Sequence, residues 1–246
     1  MNVALYVTCL IDLFRPRIGF AALKLLESAG CTVHVPPGQT CCGQPAYNSG
    51  DRETARALAL RVIGEFESYE YVVAPSGSCA GMMRVHYEEL FSDAGDGERK
   101  RALEFCRRVY ELSDFLVNVA HYEPSGATYS GVVTYHDSCS GLRELGVKDQ
   151  PRHLLSRVDG LEIREMSEPE ACCGFGGAFA MKFGEISSHI ADRKCDQVAA
   201  CGAGGVVLGD LGCMLHIEGR LRRRGDASTA VMHFAEVLAG PGTDGK

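Results

Sequence analysis

The residues with the most chemistry to offer are cysteines. The chain carries twelve of them in 246 residues. In the first half they run Cys9, then Cys41-Cys42 followed by Gly43, then Cys79. In the second they run Cys139, then Cys172-Cys173 followed by Gly174, then Cys213. Corresponding cysteines are displaced by 130, 131 and 134 residues. An order and spacing kept this closely marks an internal duplication. Residues 109–116 also repeat the apolar spacing of residues 231–238. The boundary is expected near residue 123, at the turn signal Pro124-Ser125-Gly126, giving units of residues 1–123 and 124–246.

Four thiolates per half suit a tetrahedral zinc site or an iron–sulfur cluster. The spacing is not that of paired zinc knuckles, because one cysteine stands alone, two are adjacent and one stands alone. Adjacent side chains on extended backbone point apart. Such a pair reaches two irons of a cluster more naturally than one small ion. Gly43, Gly174, Gly176 and Gly177 let backbone amides approach the sulfurs, the alternative being ordinary tight turns. Disulfides fit less well. A chain this long does not need staples, and adjacent cysteines seldom bridge each other. Residues 3–7 have no basic flank or small-residue cleavage site, so they read as a core strand and not an export signal. Thiols held reduced in a cytoplasmic setting are the expectation.

The remaining signals are weaker. Cys31, Cys106, Cys195 and Cys201 have no duplicated partner. Cys106 and Cys195 fall in helical patterns and read as small apolar core residues. Gly202-Ala203-Gly204-Gly205 precedes a strand and lacks the spacing of a nucleotide fingerprint. His136-Asp137, just before Cys139, offers proton transfer or substrate contact. The competing reading is a strand-end turn in which Asp137 caps the next helix. Arg143-Glu144 reads as a helix-face pair, and Met82 and Met83 as core. Arg220, Arg222, Arg223 and Arg224 read as a solvated helix end, where cations suit the dipole. A net charge of −7 and a pI near 5.6 argue against nucleic acid or anionic membrane as partners. No stretch is long and apolar enough to span a bilayer. At 46% apolar and 23% charged residues, the composition is that of a soluble globular protein.

These cysteines are far apart in sequence, so the fold must bring them together. Strands are expected over 2–7, 32–35 and 71–74, and again over 132–135, 161–165 and 205–208. Helices are expected over 15–29 (closed by Gly30), 51–66, 82–91, 113–119 and 186–199. Alternating strands and helices imply an α/β fold of two duplicated halves, each a small parallel sheet flanked by helices. Every cysteine of the repeated set then follows a strand. Such sheets bind ligands beyond the carboxyl ends of their strands, where the strand order reverses.

The pattern Cys…Cys-Cys-Gly…Cys, given twice, resembles the CCG or cysteine-rich domain family. That family includes the cysteine-rich component of heterodisulfide reductase and the iron–sulfur component of glycolate oxidase. The short two-repeat form is most similar to its lactate-utilisation branch. So are the segments Thr8-Cys9-Leu10-Ile11-Asp12, Gln39-Thr40-Cys41-Cys42-Gly43-Gln44-Pro45 and His136-Asp137-Ser138-Cys139-Ser140-Gly141-Leu142-Arg143-Glu144-Leu145-Gly146. The resemblance implies a cytoplasmic electron-transfer subunit, working with a ferredoxin-type iron–sulfur protein and a third subunit to oxidise L-lactate to pyruvate. No segment resembles a flavin or nicotinamide site, so a catalytic cofactor is expected on another subunit. The fuller family pattern ends in Cys-x-x-Cys, whereas Met82 and His216 stand at the last position here. One [4Fe-4S] cluster per half needs only the cysteines present, while the paired cluster of the heterodisulfide reductase type lacks a thiolate. His216 is a possible further ligand. Zinc in place of iron, in an interaction module without redox chemistry, is the alternative reading, and a heterodisulfide-reductase-type subunit is another.

Overall fold

The β-branched runs at residues 71–74 and 205–208 are buried almost throughout, as central strands covered on both faces must be. The structure, a computed structural model, describes residues 1–240. The first sheet consists of β1 (Asn2–Leu5), β2 (Thr32–His34), β3 (Tyr71–Ala74) and β4 (Val109–Glu111), in the order β2-β1-β3-β4, all parallel. The second consists of β5 (Thr128–His136), β6 (Asp159–Ile163), β7 (Gly205–Leu208) and β8 (Ala230–His233), in the order β6-β5-β7-β8, again all parallel. The duplication therefore extends from the cysteines to the topology. In each half the chain moves outward from the first strand to the second and then returns to the other side, opening a crevice at the reversal.

Each half has a fourth strand that the sequence pattern does not announce. β4 and β8, three and four residues long, end in the polar residues Glu111 and His233. They open the repeated segments at 109–116 and 231–238, so that echo is a strand running into a helical turn. The helix expected over 82–91 begins earlier. It runs Gly77–Gly81, then a π-helical turn Met82–His86, then Tyr87–Leu90. A second π-helical turn, Phe115–Val119, occupies most of the helix expected over 113–119. The helix Pro16–Ser28 has proline at its first turn, and Gly30 follows its end with φ 78°. The arginine run is less free than a solvated face. Arg220 Nε donates to Asp192 Oδ1 at 2.7 Å, Arg222 to the Asp226 carbonyl at 2.7 Å, and Arg224 to the Asp192 carbonyl at 2.8 Å.

One apolar cluster joins the two sheets. Leu25, Leu112 and Phe115 from the first half pack with Tyr135, Leu154 and Phe234 from the second. Beside it, β4 and β8 end on buried caps of opposite chemistry. Glu111 accepts the amides of Ser113 at 2.7 Å and Asp114 at 3.2 Å, together with the Ser113 hydroxyl. Its counterpart His233 accepts the Ala235 amide on Nδ1 at 3.2 Å, completing a capping box with Glu236. Burial pushes the Glu111 carboxyl up to about 7 and the His233 imidazole down to about 4.

Folded Glu111 keeps its proton to higher pH than the unfolded chain, so stability falls as pH rises from about 4.5 to about 7. Glu111→Gln removes that loss. Thermal unfolding of wild type and variant across this window is expected to diverge in favour of the variant, by at most about 3 kcal/mol. A difference that does not change with pH would refute the assignment.

Candidate metal centres

Four of the eight repeated cysteines sit in first turns of helices, where free amides and the helix dipole favour thiolate. Cys9 opens the helix Cys9–Phe14, whose cap residue Thr8 accepts the Ile11 amide at 3.4 Å. Cys139 opens Cys139–Leu145. Cys79 is the third residue of Gly77–Gly81, and Cys213 the third of Leu211–Arg223, capped by Asp210 through the Gly212 amide at 3.0 Å.

The other four come from the Cys-Cys-Gly loops, which lie flat on the helices Arg52–Phe66 and Gly184–Ala200. Gly43 has φ 86°, and a Cβ there would stand 3.2 Å from the Ala55 carbonyl oxygen. Gly174 has φ 90°, and its Cβ would stand 2.5 Å from the Ser187 carbonyl oxygen. Glycine is required at both places by conformation and by space. Side chains pin the first loop. Gln39 accepts the Val7 amide at 2.8 Å, Tyr6 donates to the Thr40 carbonyl at 2.6 Å, and Tyr87 donates to the Cys42 carbonyl at 2.9 Å. The second loop is held differently. Lys194 Nζ donates to the Glu168 carbonyl at 2.6 Å, and the Ser187 hydroxyl donates to the Gly174 carbonyl at 2.8 Å. Lys194 is itself buried, and the burial lowers its pKa. Nothing in the sequence marks it beyond a lysine on the apolar side of a helix.

Each half thereby gathers its own four sulfurs. Cys42 and Cys79 Sγ are 3.5 Å apart, and Cys41 bridges from Cys42 to Cys9. Cys173 and Cys213 Sγ are 3.0 Å apart, and Cys172 bridges from Cys139 to Cys173. The Gly174 amide donates to Cys172 Sγ at 3.2 Å. Bonds from Cys42 and Cys9 hold the Cys41 thiol down to about 2, and bonds from Cys139 and Cys173 do the same for Cys172. Cys9 and Cys139 are pushed up correspondingly. By contrast, burial is what drives Cys106 up to about 12. Each quartet thus concentrates negative charge on one central thiolate, Cys41 in the first and Cys172 in the second. All twelve cysteines are free thiols. The donor set, the Gly174 amide aimed at sulfur and the glycine-lined loops fit a metal or iron–sulfur group.

Both quartets open on the junction between the halves. A crevice of about 730 Å³ is lined by Cys9, Cys41, Cys42 and Cys79 together with Phe175 and Met181 from the second half. An adjoining recess of about 150 Å³ is lined by Cys139, Cys172, Cys173 and Cys213 together with Gln44 and Ser78 from the first. Asp210 ties the walls, accepting from the Ser76 hydroxyl at 3.1 Å and the Ser78 amide at 2.8 Å. The helix Gly77–Gly81 packs on Cys139–Leu145, and Cys9–Phe14 packs on Leu211–Arg223. These two contacts are equivalent under the duplication.

The other residues singled out fall as follows. Asp137 does not cap a helix; both its oxygens take Arg152, at 2.8 and 2.9 Å. Glu144 faces His86 of the first half at 3.4 Å. His216 Nε2 lies 3.1 Å from the Ser187 hydroxyl, next to the second quartet, while Met82 and Met83 are buried in the apolar cluster of the first half. His136 lies with Cys173 and Cys213, their donor atoms within 4.8 Å of one another. Cys31, Cys106 and Cys195 are buried, and Cys201 Sγ meets the Val198 carbonyl at 3.0 Å.

Comparison with known proteins places this arrangement. Residues 3–84 and 133–218 each match the family profile described as CCG, cysteine-rich domain. Lactate utilization protein A of Anoxybacillus flavithermus is 47% identical over 239 residues, covering 97% of this chain and 99% of its own. Lactate utilization protein A 2 of Bacillus cereus is 44% identical over 240 residues, covering 97% and 98%. Among solved structures, a hypothetical protein from Helicobacter pylori superposes with a TM-score of 0.69 at 11% identity, which bears on the fold alone. It covers 98% of this chain, which spans 49% of the length of that one.

The contact between the halves depends on a missing side chain. A Cβ on Gly77 would stand 2.8 Å from Ser138 Oγ and 2.9 Å from Gly141 Cα. Gly77→Ala is expected to cost about 1–3 kcal/mol, because backbone has to shift. Gly97→Ala, inside the helix Asp96–Cys106 where nothing lies within 4 Å of the added atom, is expected to be neutral or slightly stabilising. Denaturant unfolding checks both, and equal midpoints for the two variants would contradict the account.

Proposed function

Because the chain belongs to the CCG cysteine-rich domain family, we propose that it carries one iron–sulfur centre in each of its units, 1–123 and 124–246, and passes electrons within a complex that oxidises lactate. The observation that carries this reading is the collection of each unit's four cysteines into one contiguous sulfur set, with both sets opening on one junction. Cys9, Cys41, Cys42 and Cys79 hold the first group, and Cys139, Cys172, Cys173 and Cys213 the second. An iron–sulfur cluster, when bound, supplies a one-electron store whose potential follows its ligands, hydrogen bonds and burial. The chain's own part is to hold the sulfurs, aim the Gly43 and Gly174 amides at them and bury Cys42 and Cys173 away from water. The relatives' names support the lactate-utilisation side of this reading, and the partners it proposes are a ferredoxin-type iron–sulfur protein and a third subunit. No helix of the described residues is long and apolar enough to cross a membrane.

Anaerobically purified chain should contain iron and acid-labile sulfide. Cys41→Ser and Cys172→Ser should each lower iron by roughly half, as expected when one of two Cys₄ sites is lost, and Cys106→Ser should leave it unchanged. Iron at the wild-type level in either ligand variant would remove the assignment. The purified chain alone should not reduce an artificial acceptor with lactate and should gain that activity only with its partner subunits. Turnover by the single chain would defeat the relay role.

A further inference from the structure

His136 closes β5 with no exposed surface, and neither Nδ1 nor Nε2 makes a hydrogen bond. The Pro169 carbonyl stands beside the ring without meeting hydrogen-bond geometry. A buried imidazole left in this way is destabilising, because each unsatisfied nitrogen has lost water without gaining a partner. The ring does, however, face something. One of its nitrogens, Cys173 Sγ and Cys213 Sγ all lie within 4.8 Å of one another.

The duplication supplies an internal control. The residue at the same place in the first half is Tyr6, three before Cys9 as His136 is three before Cys139. Tyr6 is also fully buried and stands beside Cys42 and Cys79. Its hydroxyl is satisfied, donating to the Thr40 carbonyl at 2.6 Å. The first half therefore offers four sulfurs and a spent phenol. The second offers four sulfurs and an imidazole with a free lone pair. An imidazole lone pair is a good donor to iron or zinc.

We propose that His136 ligates the second centre through a ring nitrogen, together with Cys173 and Cys213, so that the two halves hold chemically different groups. The first takes thiolates alone and the second takes thiolates with one imidazole. This rests on the metal-binding reading above, and the two can fail separately. Coordination satisfies one ring nitrogen and leaves the other N–H free to turn to the Pro169 carbonyl, the usual outer contact of a metal-bound histidine.

The test uses the full chain, reconstituted with iron and sulfide under anaerobic conditions, reduced, and examined by pulsed EPR with and without ¹⁵N-labelled histidine. A strong nitrogen coupling that changes with the label is expected. It should vanish in His136→Tyr, which installs the residue the first half already carries and leaves the cysteines in place. It should survive in His216→Ala. No coupling in loaded wild type, or coupling that persists in His136→Tyr, overturns the ligation while leaving the two-centre reading intact. If sulfide fails to assemble with the iron, the iron–sulfur reading falls. Ligation is then decided on zinc-loaded chain by X-ray absorption. Imidazole scattering present in wild type and lost in His136→Tyr supports it, and sulfur-only scattering overturns it.

Discussion

Four thiols crowded together at the carboxyl edge of a parallel sheet cannot all be charged, and the remaining architecture answers to that constraint. With Cys42, Cys173 and Cys213 buried, negative charge is expensive unless amides, helix ends or a cation balance it. The helix starts at Cys9, Cys79, Cys139 and Cys213 supply oriented amides, and the glycines after the paired cysteines let more backbone approach. The sheets themselves are small and ordinary. What distinguishes the chain is that both of its crossover reversals end in sulfur, and that Asp210 and Gly77 bring the two ends together.

The duplication is faithful in topology and unfaithful around the sulfurs. Tyr6 is matched by His136. Ala55, whose carbonyl borders Gly43, is matched by Ser187, whose carbonyl borders Gly174. Counting along the helices from that contact, buried Val62 is matched by buried Lys194, and Met82 by His216. Every exchange replaces an apolar or satisfied group with a polar one on the second side. Of these exchanges only the buried Lys194 changes the charge beside its quartet, and the first half has no charged counterpart to it.

Much of this was legible in the sequence, for identifiable reasons. The cysteine order, repeated at offsets of 130, 131 and 134, exposed the duplication, and short unbroken apolar runs exposed β1, β3, β5 and β7. The edge strands β4 and β8 were not, since Glu111 and His233 end them in polar residues and each leads straight into a helical turn. Asp137 looked like a helix cap because its position suits one, and its pairing with Arg152 depends on a helix that begins twelve residues later, at Asp149. The nearness of His136 to Cys173 and Cys213 joins residues 37 and 77 apart. Superposing the repeats would have hinted at it, since a histidine there faces a tyrosine in the other copy.

The apolar cluster that spans both halves carries a consequence for how the molecule matures. By the time Cys79 has been synthesised, the first sulfur set is chemically complete. Its scaffold is not, because the helix Pro16–Ser28 packs against Phe234–Ala239. At ribosomal speeds of about 5–20 residues per second, that partner arrives roughly ten seconds or more after Cys79. Until then Leu25, and Leu112 and Phe115 once they are made, lack the second-half side chains they pack against. The shared apolar face therefore closes only when the second half folds against the first, and until then the early half depends on whatever attends the nascent chain.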